Sequence, residues 1–157
     1  MNKVEDNIFI GDLKSAQDPE ELKKHYITHI VAIGKDLMPM YPQQFIYMCL
    51  NLSEETTENI AKHFNAVCKF MKSAIRRDSA NILVHCNTGN NLAVCFVAAY
   101  FIKVEDYSIG TSLKIIKKAR PKIKPYGVFL SQVQCYETIV DAYNRRLEAQ
   151  KAQSGVR

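Results

Sequence analysis

The feature that most constrains the fold is an apolar segment that runs into a cysteine, a glycine and then a second apolar stretch. Residues 82–84 predict a buried strand, and the residues after Leu92 are apolar in the pattern of a helix. A chain that turns from a strand into a helix points successive backbone N–H groups into one concavity, where the helix dipole adds positive potential. The loop from Cys86 to Leu92 is therefore suited to an anion.

Cys86 in this loop allows two interpretations. A thiol at the mouth of such a loop is biased toward the thiolate and could attack phosphorus, and Gly89 would let the backbone curl close to a ligand. Free cysteine is also among the most buried residue types, so a His-Cys-x-x-Gly segment alone would more simply be structural. The candidate ligand-binding residues of the loop are Asn87, Thr88, Gly89, Asn90, Asn91 and Leu92.

The length and composition indicate one globular domain. A chain of 157 residues can bury a core, and we expect a single domain over residues 1–147 with a polar, frayed tail over residues 148–157. Hydrophobic residues make up 47% and charged residues 24%, which is typical of a folded protein. No apolar run approaches the roughly 18 residues that cross a bilayer, and no signal peptide is visible, so we expect no membrane association.

The cysteines indicate a reducing compartment. Five of them are scattered along the chain, without a close pair and without the spacing of metal ligands. An odd number of dispersed thiols suits the cytoplasm or the nucleus, where disulfides are rare. We therefore expect a cytoplasmic or nuclear protein with no cofactor and no metal.

Basic residues are concentrated late in the chain, and the formal net charge is +5. Such a cluster beside a helix is most simply a solvated face, and the alternative is attraction toward acidic or phosphorylated partners. Nucleic acid is not expected, because no base-stacking aromatic pattern accompanies the charges. The clustered residues are Lys114, Lys117, Lys118, Arg120, Lys122, Lys124, Arg145 and Arg146.

Strand-like and helix-like segments alternate along the chain. Four segments rich in β-branched and apolar residues are predicted strands: residues 8–11, 27–33, 45–50 and 82–84. Five segments are predicted helices: one that starts at Asp18, one capped by Ser53 or Thr57 that runs through Met71, one through 96–102, one over 112–119 after Gly110, and one over 129–147. This alternation favours an α/β fold with a mostly parallel twisted sheet flanked by helices.

With the loop in place, the chain resembles the dual-specificity phosphatases, the small compact branch of the cysteine-dependent protein phosphatases. Their phosphate-binding loop reads His-Cys, two variable residues, Gly, two variable residues, Arg, and Ser or Thr, and residues 85–89 match its beginning. The resemblance extends over residues 4–142 and implies the fold of that family, with Cys86 in the position of the nucleophile. Further matching segments, in the same order as in the family, are residues 8–11, 27–31, 99–102 and 120–137.

The end of the loop departs from the family pattern. Leu92 stands where the family has the arginine that clamps two phosphate oxygens, and Ala93 stands where it has a hydroxyl that assists the departure of the cysteine. Loss of comparable cationic stabilisation in phosphoryl transfer is worth roughly 10³–10⁵ in rate. Asn90 and Asn91 offer uncharged amide donors that could replace part of the lost hydrogen bonding.

The general acid of the family, an aspartate on an upstream loop, also differs. Counting back from Cys86 and anchoring on Phe64 places that position at Glu54. Glutamate can donate a proton, but its extra methylene displaces the acid, and a misplacement of about 1 Å can cost about 10² in rate. Glu54 and Glu55 can equally be solvent-facing acids in the first turn of a helix.

The resemblance and these departures together imply a catalytically impaired, STYX-like pseudophosphatase, a monomer that binds a protein partner, phosphorylated or not. In one version the loop still holds a phosphorylated side chain weakly, and in the other the outer surface binds the partner. The alternative is a slow but active tyrosine or serine/threonine phosphatase with Cys86 as nucleophile and Glu54 as general acid. A weaker alternative is a redox-sensing thiol at Cys86, resolved by Cys95 or Cys49.

Overall fold

The computed structural model describes residues 1–155 and contains a five-stranded sheet in the order β1-β2-β5-β3-β4. The strands β2, β5, β3 and β4 pair in parallel, and β1 pairs antiparallel with β2 at one edge. The predicted mostly parallel sheet is thus confirmed, with one antiparallel strand added. The strands are β1 Asn2–Glu5, β2 Ile8–Gly11, β3 Ile27–Ile33, β4 Ile46–Leu50 and β5 Asn81–His85.

Alternate residues of the central strands pack on opposite faces of the sheet. In β3, Val31 and Ile33 belong to a large core that includes most of the later helices, and Ile30 and Ala32 belong to a smaller core on the other face. This alternation follows from the period of two in a strand. A parallel sheet covered on both faces explains why β3 reads as one continuous apolar run.

Six helices and one 3₁₀ turn complete the fold of residues 1–155. The second helix begins after Asp18, whose carboxylate accepts hydrogen bonds from the backbone N–H groups of Glu20 and Glu21, as its sequence predicts. The 3₁₀ turn is Ala61–His63. The helices are α1 Leu13–Ala16, α2 Pro19–Lys24, α3 Phe64–Asp78, α4 Leu92–Val104, α5 Ile109–Ala119 and α6 Gly127–Gln153.

The predicted cap of α3 at Ser53 or Thr57 is wrong. The helix begins at Phe64, and the Ser53 hydroxyl instead accepts a hydrogen bond from the N–H of Glu55 in a loop. The N–H groups of Ile60 and Ala61, at the start of the 3₁₀ turn, donate to the side chain of Gln132 in α6, so the interaction that fixes this entry to the helix is tertiary.

Two further helix boundaries differ from the prediction. Gly110 does not interrupt the chain but lies in the first turn of α5, which Ser108 caps. The frayed tail predicted from residue 148 is helical as far as Gln153, because residues 145–153 are almost all strong helix formers. Residues 156–157 of that predicted tail lie outside the described residues.

The helix α4 leads from the candidate loop through the centre of the larger core. Every residue from Leu92 to Ile102 is buried, including Tyr100. A helix that is apolar on all sides fits a position enclosed by neighbouring helices and the sheet. The loop that precedes α4 is therefore fixed to a well-packed element. None of the helices in residues 1–155 combines the length and the apolar character needed to span a bilayer.

Candidate active site

Cys86 lies directly after β5, at the carboxyl end of the parallel strands, and α4 begins six residues later at Leu92. This edge of an α/β sheet is where such folds usually bind ligands. The thiol is only 1% exposed, and the backbone N–H of Ala93 donates to its Sγ at 3.4 Å. Cys86 therefore faces the amino-terminal end of α4, where free N–H groups stabilise an anion.

Gly89 gives the loop its tight curvature. Its φ is +74°, in the left-handed region, and a Cβ at this position would lie 2.5 Å from the carbonyl oxygen of Gly11. Two backbone hydrogen bonds from neighbouring segments fix the loop: Leu13 donates to the Asn87 carbonyl at 3.0 Å, and Lys124 donates to the Asn90 carbonyl at 2.8 Å. The curved loop expected from the sequence is present.

The Arg120 guanidinium, from the segment after α5, binds the loop. Its Nη2 donates to the Thr88 carbonyl at 2.9 Å, and its Nε donates to Asn90 Oδ1 at 3.0 Å. Its Nη1 donates to Asn2 Oδ1 at 2.7 Å. The sequence places Arg120 in the basic cluster and in the matching segment 120–137, and its contact with the loop was not predicted. The two loop contacts join residues 30 and 32 positions apart, and the contact with Asn2 spans 118 positions, so no local pattern reveals them.

The side chains of Asn90 and Asn91 point to structural partners. Asn90 Oδ1 accepts from Arg120, as above, and the buried Asn91 Oδ1 accepts from the backbone N–H of Tyr126 at 2.8 Å. The Asn91 Nδ2 is buried without a partner in the described chain. Neither residue lines the cavity at Cys86, so the expected replacement of phosphate contacts by these amides is not supported.

A cavity of about 330 Å³ opens at Cys86. It brings together four of the predicted site residues, and most of the remaining lining is apolar. Thr88, Gly89, Asn90 and Asn91 shape the loop but do not line the cavity. The predicted site residues in the lining are Glu54, Cys86, Asn87 and Leu92, and the apolar ones from other segments are Leu13, Ile33, Leu37 and Leu52.

Glu54 is the acid that faces this cavity. Its Oε1 is buried and has no hydrogen-bond partner in the described chain, whereas Glu55 is exposed. Both lie in the irregular segment before the 3₁₀ turn, so neither is in the first turn of a helix. A buried carboxylate oxygen without a donor is costly.

Among the residues that the structure describes, no arginine lines this cavity. Leu92 occupies the position of the family's arginine and is 1% exposed, so its side chain contributes apolar surface. Lys35, on the exposed loop after β3, is the one cationic side chain among the lining residues that the structure describes. Arg76 and Arg77 are exposed at the end of α3 and do not line the cavity.

The histidine that precedes Cys86 in the sequence adds no positive charge to the site. Burial lowers the pKa of His85 to about 4, so its imidazole is neutral at pH 7.

The two thiols proposed as redox partners of Cys86 differ in their surroundings. Burial raises the pKa of Cys95 to about 12, which makes that thiol a poor resolving partner, and Cys49 is exposed on β4. Among residues 1–155, no group of three or more His, Cys, Asp and Glu side chains could hold a metal.

Comparison with known sequences gives a consistent picture. A sequence model described as "Dual specificity phosphatase, catalytic domain" matches residues 8–139. The chain is similar to dual specificity protein phosphatase 22-B of Danio rerio, with 32% identity over 138 residues that cover 88% of this chain and 74% of the relative.

Solved structures agree with the fold. Human DUSP28 has a TM-score of 0.86 at 24% identity, with 91% of this chain and 99% of that chain covered. The human tyrosine phosphatase-like serine/threonine/tyrosine-interacting protein has a TM-score of 0.84 at 28% identity, with 88% and 96% covered. The likeness to human DUSP28 is one of fold alone. In the second comparison, more than a quarter of the aligned residues are also identical.

Proposed function

Because this chain belongs to the dual specificity phosphatase family, we propose that it is a pseudophosphatase, non-hydrolytic or nearly so, that binds a protein partner. The observation that carries the proposal is the buried apolar side chain of Leu92 in the position of the phosphate-clamping arginine. A guanidinium tightens on the charge of the transition state, and leucine supplies neither charge nor hydrogen bonds.

Among residues 1–155, no arginine lines the cavity to take the place of the missing one. The three donor contacts of Arg120 are made to atoms of the loop and of Asn2, and Arg120 is not among the residues that line the cavity. The carboxylate of the neighbouring Asp12 also attracts Arg120. Burial alone would raise the pKa of Asp12, but hydrogen bonds from Ser15 and the charge of Arg120 hold that pKa below its ordinary value. Arg120 therefore supports the loop and does not clamp a phosphate.

The apolar lining of the cavity favours a partner that binds without a phosphate. An ionic phosphate would have to lose its water to enter a cavity with Leu13, Leu52 and Leu92 in its walls, and such desolvation is costly without a paired charge. The similar human protein named "tyrosine phosphatase-like serine/threonine/tyrosine-interacting protein" is described by its name as phosphatase-like and as an interacting protein. We propose an interacting role of the same kind for this chain.

A slow phosphatase is the second candidate, and two observations favour it. The Ala93 N–H donates to the Cys86 Sγ, and Glu54, whose Oε1 has no hydrogen-bond partner in the described chain, is one of the residues that line the same cavity. A nucleophile and an acid are thus both present. We rank this candidate second because the missing arginine and the missing hydroxyl at Ala93 both lower the rate, although such losses do not add independently.

Restoring the missing groups tests the first proposal. Leu92→Arg combined with Ala93→Ser should raise the Cys86-dependent hydrolysis of a small aryl phosphate by about 10²–10³. Leu92→Gln with Ala93→Ser is the matched control, because glutamine offers hydrogen bonds without the charge, and it should stay near the native rate. A native rate that already equals that of the restored variant would favour the slow phosphatase.

A further inference from the structure

A second concave surface lies between α6 and the start of α3, and we call it the α3–α6 groove. Its volume is about 530 Å³, larger than the 330 Å³ of the cavity at Cys86. Among the described residues, none lines both. The residues of the groove used below are Ala61, Asn65, Val128, Cys135, Tyr136 and Ile139.

One face of α6 is apolar and unusually exposed along this groove. The Ile139 side chain is 65% exposed and Val128 is 38% exposed, and Cys135 between them is exposed as well. Their spacing of seven and four residues places them on one side of the helix. Contiguous exposed apolar residues beside a concavity are typical of a protein interaction site.

The floor of the groove is held by hydrogen bonds within the chain. The Gln132 carboxamide accepts from the N–H groups of Ile60 and Ala61 and donates to the Glu58 carbonyl at 2.9 Å. The Tyr136 hydroxyl donates to Asn65 Oδ1 at 2.6 Å. These polar groups are therefore satisfied inside the protein, and the groove offers a preformed, mainly apolar surface, which lowers the entropy cost of binding.

Three lysines border the groove, and we call them the lysine rim: Lys69, Lys72 and Lys103. They line an adjoining cavity of about 270 Å³ that shares Asn65 with the groove and has no acidic side chain in its lining. Lys103 Nζ lies 5.0 Å from the ring centroid of Tyr143 in α6. Within residues 1–155, none of the three forms an ion pair with a carboxylate.

We propose that the α3–α6 groove with its lysine rim docks an acidic amphipathic segment of a partner protein. Apolar side chains of that segment would contact Val128 and Ile139, and its carboxylates would pair with the lysine rim. A concave surface takes a protruding helix better than a flat lipid surface, and a second copy of this chain, with its formal net charge of +5, is a poor electrostatic match. The docking does not depend on the chemistry at Cys86.

Selection from a display library of random peptides tests this proposal, with the full chain as the target. The peptides should have about 16 residues, enough for four helical turns. We expect the enriched sequences to carry apolar residues at spacings of three and four, with more Asp and Glu than the starting library. Enrichment of neutral or basic sequences, or no enrichment over a target that carries Ile139→Asp, would overturn the proposal.

Paired variants locate the binding of one enriched peptide. Ile139→Asp should weaken it at least tenfold, and Ile46→Asp, at another exposed apolar residue on β4, should change it less than twofold. Lys69→Glu with Lys72→Glu should weaken it at least fivefold. Lys117→Glu with Lys118→Glu on α5 changes the net charge by the same amount and should change the peptide affinity less than twofold. Equal effects of the two double substitutions would contradict a local role of the lysine rim.

Thiol protection gives a second readout that needs no substitution. Cys135 in the groove and Cys49 on β4 are both exposed thiols. The peptide should slow the alkylation of Cys135 at least fivefold and leave Cys49 unchanged, and equal rates with and without peptide would contradict docking in the groove. Self-association abolished by Ile139→Asp, or binding to anionic lipid vesicles lost in the same variant, would assign the face to those occupants and overturn the proposal.

Discussion

The Arg120 Nη2 donates to the carbonyl oxygen of Thr88 at 2.9 Å, so the arginine that contacts the candidate loop holds it from another segment of the chain. In an active member of the family an arginine within the loop would face the phosphate. Here that position is occupied by Leu92, whose apolar side chain lines the cavity. The loop is thus kept in the curved shape of an anion site while its charged contact is absent.

We expect Arg120→Ala to destabilise the fold and to loosen the loop. The substitution removes hydrogen bonds of a charged donor to Thr88 and Asn90, which typically contribute about 1–3 kcal/mol. Urea denaturation should show a loss of that size, and Cys86 should be alkylated faster in the folded state. Arg77→Ala, at an exposed position on α3, is the control and should change the stability by less than about 0.5 kcal/mol.

We expect Gly89→Ala to be among the most destabilising single changes in the loop. A Cβ at this position would meet the backbone carbonyl of Gly11 at 2.5 Å, and the φ of +74° is unfavourable for alanine. A cost of about 2–4 kcal/mol follows from strain and displaced backbone. Gly127→Ala is the matched control because a Cβ there meets nothing within 4 Å, and it should leave the denaturation midpoint unchanged or higher.

We expect the stability to fall in mild acid through His85. Its pKa is about 4 in the folded chain and 6.5 ordinarily, so the unfolded chain binds the proton more readily. This contribution is therefore complete above pH 6.5 and is lost as the pH falls toward 4, by about 2 kcal/mol between about pH 7.5 and 5.

Denaturant titrations of the native chain and of His85→Gln at the two pH values check this expectation. The pH-dependent loss should be about 2 kcal/mol smaller in the variant. Burial also lowers the pKa of His29 and His63, but both are present in the two proteins, so their contributions cancel in the comparison. An identical pH dependence would show that His85 is not the group responsible.

The sheet and the loop could be predicted from local patterns, and the entry to α3 could not. The buried strand β3 and the turn at Gly89 are determined by runs of adjacent residues, which a single sequence displays directly. The segment before α3 is held by the side chain of Gln132, which is 72 residues from Ile60 in the sequence. Local sequence does not show this contact, so the cap was predicted at the nearby Ser53 or Thr57.

The candidate site was predictable to a similar extent. Cys86 follows from the loop pattern, the resemblance to the family adds Leu92 and Glu54, and all three line one cavity. The apolar wall from Leu13 and Leu52 and the presence of Lys35 depend on which loops meet at the edge of the sheet. Those contacts join distant segments, and no periodicity within one segment reports them.

Tungstate, a tetrahedral phosphate mimic, should not bind the native chain appreciably. We expect no rise in thermal stability at about 1 mM tungstate, whereas Leu92→Arg with Ala93→Ser should gain about 1.4 kcal/mol when tungstate is at ten times its Kd. Thermal denaturation with and without the anion gives the comparison. Stabilisation of the native chain that disappears in Lys35→Ala would contradict the expectation that the cavity binds no anion. It would assign the role of the phosphate clamp to Lys35.

The central claim is that this loop retains its nucleophile without supporting catalysis, and hydrolysis of a small aryl phosphate tests it most directly. The native chain and Cys86→Ser, purified in parallel, should give the same background rate, because Leu92 and Ala93 supply neither the clamp nor the hydroxyl. Turnover in the native chain that vanishes in Cys86→Ser would contradict the claim and would establish a slow phosphatase.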